Sequence, residues 1–158
     1  MRSLHPQRYF HLIKEGLQFS QGLFTNNEPV EPGTVLLAPA TWHMTVVRRS
    51  ASKYAVHLSK APEKTLHRPS VDVMMLSAAE VCGALTMGVI LTGMGSDGAL
   101  GMKAIKEKGG YTVGQDEGSC AVYGMPRACA ETGTLKRVLS LEQIPGEIIA
   151  ATRCSQRP

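Results

Sequence analysis

The chain is 158 residues long, about the length of one domain and enough to bury a core of its own. Its hydrophobic fraction is 43% and its charged fraction 19%, as in soluble globular proteins, and no stretch approaches the ~18 apolar residues of a membrane span. The formal charge is +4, but the basic residues are scattered, and three Phe and one Trp cannot furnish the basic, aromatic-lined stripe of a nucleic-acid surface.

The opening residues Met1 to Arg8 contain no apolar run of signal-peptide length, so a cytoplasmic protein is expected, with no membrane insertion. Cys82, Cys120, Cys129 and Cys154 show neither C-x-x-C spacing nor a Cys/His zinc pattern. They read as free, mostly buried thiols in a reducing compartment. The five histidines are dispersed, and neither a metal nor a cofactor is expected.

In chain order, Gln7 to Lys14 reads as a short helix with Tyr9, Phe10, Leu12 and Ile13 on its apolar face. Thr25 to Pro29 and Glu31-Pro32-Gly33 are turns, and Thr34 to Ala38 is a short apolar strand stopped by Pro39. Trp42 to Arg49 and Tyr54 to Leu58, split by Ser50 to Lys53, form a hairpin. From Pro69 the pattern becomes alternating helix and strand. Ser70 caps a helix from Val71 to about Val81, and Met87 to Thr92 is a continuous apolar strand of the kind buried in a parallel sheet. After a glycine-rich loop, Ala99 to Lys108 is helical and stops at Gly109-Gly110. Tyr111 to Gln115 is a strand, Pro126 opens a helix that Gly133 closes, Thr134 to Leu139 is a strand, and a last helix runs to about Arg153. Strands joined by crossover helices imply an α/β fold with a mainly parallel sheet and helices on both faces.

The loop Gly93 to Gly98 occupies the place where such sheets gather function, between the end of a strand and the start of a helix. Its three glycines permit sharp turns, and its backbone N–H groups can face a developing negative charge. It also fits G-x-G-x-x-G, the dinucleotide fingerprint, with Asp116 near the end of the next strand. Two features weigh against a nucleotide. Asp97 would set a carboxylate beside the pyrophosphate, and no second mononucleotide half follows. Asp97 itself has two readings from local sequence, a helix cap or a catalytic acid.

Four segments together resemble the catalytic domain of the CheB-type protein-glutamate methylesterases. Leu91 to Ala99 (LTGMGSDGA) is similar to the family's LTGMGxDGA, and Arg68 to Val73 (RPSVDV) to its RPSVD. Gln115 to Ala128 (QDEGSCAVYGMPRA) resembles QDExSCVVFGMPRAA. Glu31 to Pro39 (EPGTVLLAP) resembles PGxVYIAP, with His43 near the histidine that usually follows. The blocks stand in family order and cover about residues 28 to 150. The resemblance implies a Rossmann-like α/β domain. Its activity would be hydrolysis of glutamyl methyl esters on methyl-accepting chemotaxis receptors, releasing methanol, and in many members deamidation of receptor glutamines. It also implies a Ser-His-Asp triad in which Asp97 is the acid, with Met94 N–H, flanked by Gly93 and Gly95, at the oxyanion position.

The family's serine lies in a GxSTGG-like turn and its histidine in a QHMP-like turn, and neither motif stands in this sequence. Ser3, Ser20, Ser70, Ser77, Ser96 and Ser119 are in other contexts, so no serine nucleophile is assigned, and His5 with Pro6 is a weak match for the histidine. The expectation is a single, N-terminally incomplete catalytic domain over residues 1–158, lacking the first strands of its sheet and any receiver domain. Losing a triad serine costs about 10⁶-fold in rate, so activity should be impaired. The alternatives are a non-catalytic receptor-binding relative and a dinucleotide-binding domain built on Gly93 to Gly98.

Overall fold

A computed structural model describes residues 26–154. The helix expected over Gln7 to Lys14 and the candidate His5 lie outside the described residues. Two sheets are present among the described residues. Strands β1 (His43–Arg48) and β2 (Tyr54–Ser59) pair antiparallel, with Met44 opposite Leu58 and Val46 opposite Val56. Strands β3 (Met87–Ile90), β4 (Tyr111–Gln115) and β5 (Arg137–Leu139) form a parallel sheet in the order β3-β4-β5. The helices are α1 (Val71–Cys82), α2 (Ala99–Glu107), α3 (Met125–Glu131) and α4 (Ile144–Cys154).

Period-2 alternation along the parallel strands separates two apolar clusters. Ile90 joins Met75 and Ala79 of α1, Met102 and Ile105 of α2, and Cys129 of α3. Gly88 and Gly114 share that face because a Cβ there would lie 2.6 Å from Met102 Sδ and 2.4 Å from Leu135 Cδ1 respectively. The opposite set, Met87, Val89, Leu91, Tyr111 and Val113, packs with Leu139 and with Ile144 and Ile148 of α4. Helices α1, α2 and α3 thus pack on one side of the three strands and α4 on the other.

The hairpin packs on α1 rather than joining the parallel sheet. Ser77 Oγ on α1 accepts the Val46 N–H at 2.9 Å, and Arg48 Nη2 donates to the Val81 carbonyl near the helix end. Its reverse turn is closed by Arg49 N–H to the Lys53 carbonyl at 2.8 Å.

Three elements depart from the sequence expectation by more than one residue. Thr34 to Ala38 forms no strand. The backbone that pairs with β2 comes earlier, with Asn27 N–H to Val56 O, Val56 N–H to Glu28 O and Val30 N–H to Tyr54 O, all at 2.8–2.9 Å. An apolar run becomes a strand only where a ladder partner is available. Strand β5 begins at Arg137, not Thr134, because Thr134 is buried and spends its hydroxyl on the Cys129 carbonyl at 2.8 Å. Strand β3 ends at Ile90, because the Thr92 N–H turns to the Gln115 side chain at 2.8 Å instead of a backbone carbonyl.

Cys82, Cys120 and Cys129 are free thiols. Only Cys129 is buried, and that burial pushes its thiol up to about 11. No helix among the described residues is long and apolar enough to cross a membrane.

Candidate active site

Helix α1 begins with four backbone N–H groups that have no intrahelical acceptor. Each has a side-chain acceptor here. Ser70 N–H donates to His43 Nδ1 at 3.2 Å, Val71 N–H to Asp97 Oδ2 at 2.8 Å, Asp72 N–H to Asp97 Oδ1 at 2.9 Å, and Val73 N–H to Ser70 Oγ at 3.3 Å. Three side chains from three separate segments close one helix end. The positive end of the α1 dipole further favours the Asp97 carboxylate.

The cap reading of Asp97 takes an unexpected form. Asp97 is a cap, but not of the helix it precedes. Helix α2 starts from Gly98, at φ 99°, without a side-chain cap, and Gly98 has to be glycine because a Cβ would also press on Ile90 and Val71. The service is returned by Asp72, whose Oδ1 accepts the Gly101 N–H of α2 at 2.8 Å. The two helix N-termini thus exchange carboxylates. Gly101 permits the close approach, since a Cβ there would stand 2.3 Å from Met75 Cβ.

The Asp97 carboxylate accepts a third donor, Ser70 Oγ, at 2.9 Å on Oδ1. An ionised carboxylate offers about four lone-pair positions, so Oδ1 is filled by Ser70 and Asp72 while Oδ2 keeps one position beyond Val71. Burial acts to raise the Asp97 pKa, but the bonds from Asp72, Val71 and Ser70, with the nearby His67, outweigh it and set the carboxyl below its ordinary value. Asp97 is therefore an anchored, ionised acceptor with one open position, the form a triad acid needs to receive an imidazole N–H.

The loop before Asp97 is shaped by its partner loop 122–125. Gly93 N–H donates to the Val122 carbonyl at 3.1 Å, and Gly93 O accepts from Gly124 N–H at 3.1 Å and Met125 N–H at 2.8 Å. Gly93 leaves no room for a side chain, because a Cβ would meet Met125 Sδ at 2.3 Å. Of the expected oxyanion residues, Gly93 is thus committed to the loop. Met94, 83% exposed, and Gly95, at φ 87°, donate their N–H groups to no other described residue.

Asp116, the other acid singled out in the sequence, serves its own turn. Its Oδ1 accepts Ser119 N–H at 2.9 Å and Ser119 Oγ at 2.6 Å. Gln115, fully buried, ties Thr92 to Ser119 by accepting from one and donating to the carbonyl of the other. The sequence reading missed His43 as a site neighbour. It is completely buried, with Nδ1 on Ser70 and Nε2 3.2 Å from Thr65 Oγ1. Its one visible signal was its place after the Glu31–Pro39 block.

The model of the CheB methylesterase family matches residues 1–148. This chain belongs to that family. A "protein-glutamate methylesterase/protein-glutamine glutaminase 4" of Anaeromyxobacter dehalogenans is 51% identical over 122 residues, covering 77% of this chain and 34% of the relative. A relative of the same printed activity, from the group 3 operon of Rhodopseudomonas palustris, is 41% identical over 144 residues, covering 91% of this chain and 39% of its own length. The crystal structure of the Thermotoga maritima CheB methylesterase catalytic domain matches with a TM-score of 0.76 and 36% identity, over 80% of this chain and 66% of that one. The chain spans about a third of the length of the curated relatives it matches.

Proposed function

We propose that this chain takes part in hydrolysis of glutamyl methyl esters on chemotaxis receptors in the cytoplasm, giving glutamate and methanol, with receptor glutamine deamidation as the parallel reaction. Asp97 is the triad acid in this reading. Its open Oδ2 position receives the Nδ1–H of a histidine, orienting the ring and stabilising the imidazolium that forms when a serine proton is taken. The N–H groups of Met94 and Gly95 supply donors to the oxyanion of the tetrahedral intermediate. The observation that carries the proposal is the anchored Asp97 carboxylate with one acceptor position left, at the mouth of a glycine loop whose donors are uncommitted. The relatives bear the methylesterase and glutaminase names. His5 is the histidine we assign to the acid, on sequence alone.

With no serine in a GxSTGG-like turn, hydrolysis by the chain on its own is expected to be slow. The dinucleotide alternative has little room, because the first-turn donors of α2 are already engaged, Ala99 N–H by Ser96 and Gly101 N–H by Asp72. The test is methanol release from methyl-labelled receptor, measured beside receptor binding. Release by the chain supplied with the serine-bearing segment of a relative, lost again in Asp97→Asn, is the expected result. Saturable binding with no release above the uncatalysed rate would replace the esterase reading with a receptor-binding one.

A further inference from the structure

Thr65, His43, Ser70 and Asp97 form a chain of hydrogen bonds that runs from a half-buried hydroxyl through a buried imidazole to the carboxylate. His43 sits at the first position of β1, wholly buried, between Thr65 Oγ1 and Ser70 N–H. Because Nδ1 accepts, the ring proton is on Nε2 and faces Thr65, which fixes the tautomer and the ring plane together. Ser70 is fixed on both sides. Its N–H is held by His43, and its hydroxyl accepts from Val73 while donating to Asp97 Oδ1.

We propose that His43 and Ser70 are positioning residues for Asp97, holding its carboxylate so that the open position on Oδ2 points to a fixed place. The proposal rests on the reading of Asp97 as the triad acid. The cap bond of α1, from Val73 N–H to Ser70 Oγ, does not require His43. What His43 adds is a fixed backbone at the buried residue whose hydroxyl donates to Asp97. Asp97 has no other side-chain hydrogen-bond donor among the described residues. A catalytic acid whose orientation drifts loses effectiveness steeply, since misplacement by about 1 Å can cost on the order of 10²-fold in rate.

The experiment is a carbon-detected NMR titration of the Asp97 carboxyl in the full chain, comparing His43→Asn and His43→Gln with Ser70→Ala. The amide oxygen of Asn reaches the place of Nδ1, and that of Gln the place of Nε2, so the first preserves the bond to Ser70 and the second does not. The charged neighbours, His67 and Asp72, are the same in all variants. Ser70→Ala and His43→Gln should raise the Asp97 midpoint, while His43→Asn keeps it near that of the parent. Equal midpoints for the Asn and Gln variants, in chains that fold alike by circular dichroism, would overturn the proposal and leave His43 a packing residue. The titration needs no turnover. An upward shift in His43→Gln combined with unchanged methanol release in Asp97→Asn, measured with a serine-bearing segment of a relative supplied, would keep the positioning chain and reject the triad role.

Discussion

Asp97 and Asp116 both lie in loops at the carboxyl end of the parallel sheet, and both carboxyls are held below their ordinary value. They reach that state by different routes. Asp116 is satisfied by Ser119, three residues away, through one N–H and one hydroxyl. That is a turn completing itself. Asp97 takes its three donors from Ser70, Val71 and Asp72, 25 to 27 residues distant. Its geometry exists only while α1 and α2 stay packed, and the packing depends on Gly98 and Gly101. A self-satisfied acid shapes a loop. An acid anchored from another element, with an acceptor position left over, can act on a third group.

The comparison breaks most visibly in activity. With a serine-bearing segment of a relative supplied, Asp97→Asn should lower methanol release by up to about 10⁴-fold, the size of effect seen when a triad acid becomes an amide. Asp116→Asn should leave release within about threefold, as expected of a residue remote from the transition state. A comparable loss from both would mean that the whole carboxyl edge, not Asp97 alone, bears on the reaction.

The next effect is on stability. Gly101→Ala forces a methyl against Met75 Cβ and should cost about 1–3 kcal/mol in urea unfolding, the range of an overpacked core. Gly118, in the Asp116 turn, has nothing within 4 Å of its missing Cβ, and Gly118→Ala should stay within about 0.5 kcal/mol. Ser70→Ala falls between the two, at about 1 kcal/mol for a lost N-cap, because Asp97 still covers Val71 and Asp72. If Gly101→Ala is silent, α1 and α2 can separate without strain, and the contrast between the two acids weakens.

These contrasts explain what the sequence could and could not disclose. Strand β4, the start of α1 and the glycine stop of α2 were legible because their signals are local: an apolar run, a Ser before a helix, a Gly-Gly after one. The loop Gly93 to Gly98 was legible as a site through its motif. The object of the Asp97 cap was not, because capping preferences describe the helix that follows, and the donors lie on a helix earlier in the chain. The strand expected over Thr34 to Ala38 failed for the same reason. Its apolar pattern is local, while the ladder partner that makes a strand is not, and β2 was taken by residues 27–30. His43 signalled itself only by its place after the Glu31–Pro39 block, since a lone histidine at the head of a strand otherwise looks like any satisfied core residue.

The finest discrimination between the two acids comes from acid titration. An aspartate whose folded pKa is below its unfolded value of about 3.9 stabilises the fold fully above that value, and the contribution fades as pH falls through the folded pKa. Both acids share that sign, so the melting temperature should decline on acidification below about pH 4. The difference lies in what each removal does to the slope. Asp97 anchors one helix to another, and protonation would turn an acceptor oxygen into a donor facing the N–H groups of α1. Asp97→Asn should therefore flatten the acid limb clearly. Asp116 is bonded only within its turn, so Asp116→Asn should alter the limb least. Thermal melts at half-unit steps from pH 6 to pH 3, on both variants and the parent, measure this. Equal flattening by the two substitutions would show that the long-range bonds to Asp97 contribute no more to the fold than a local turn does.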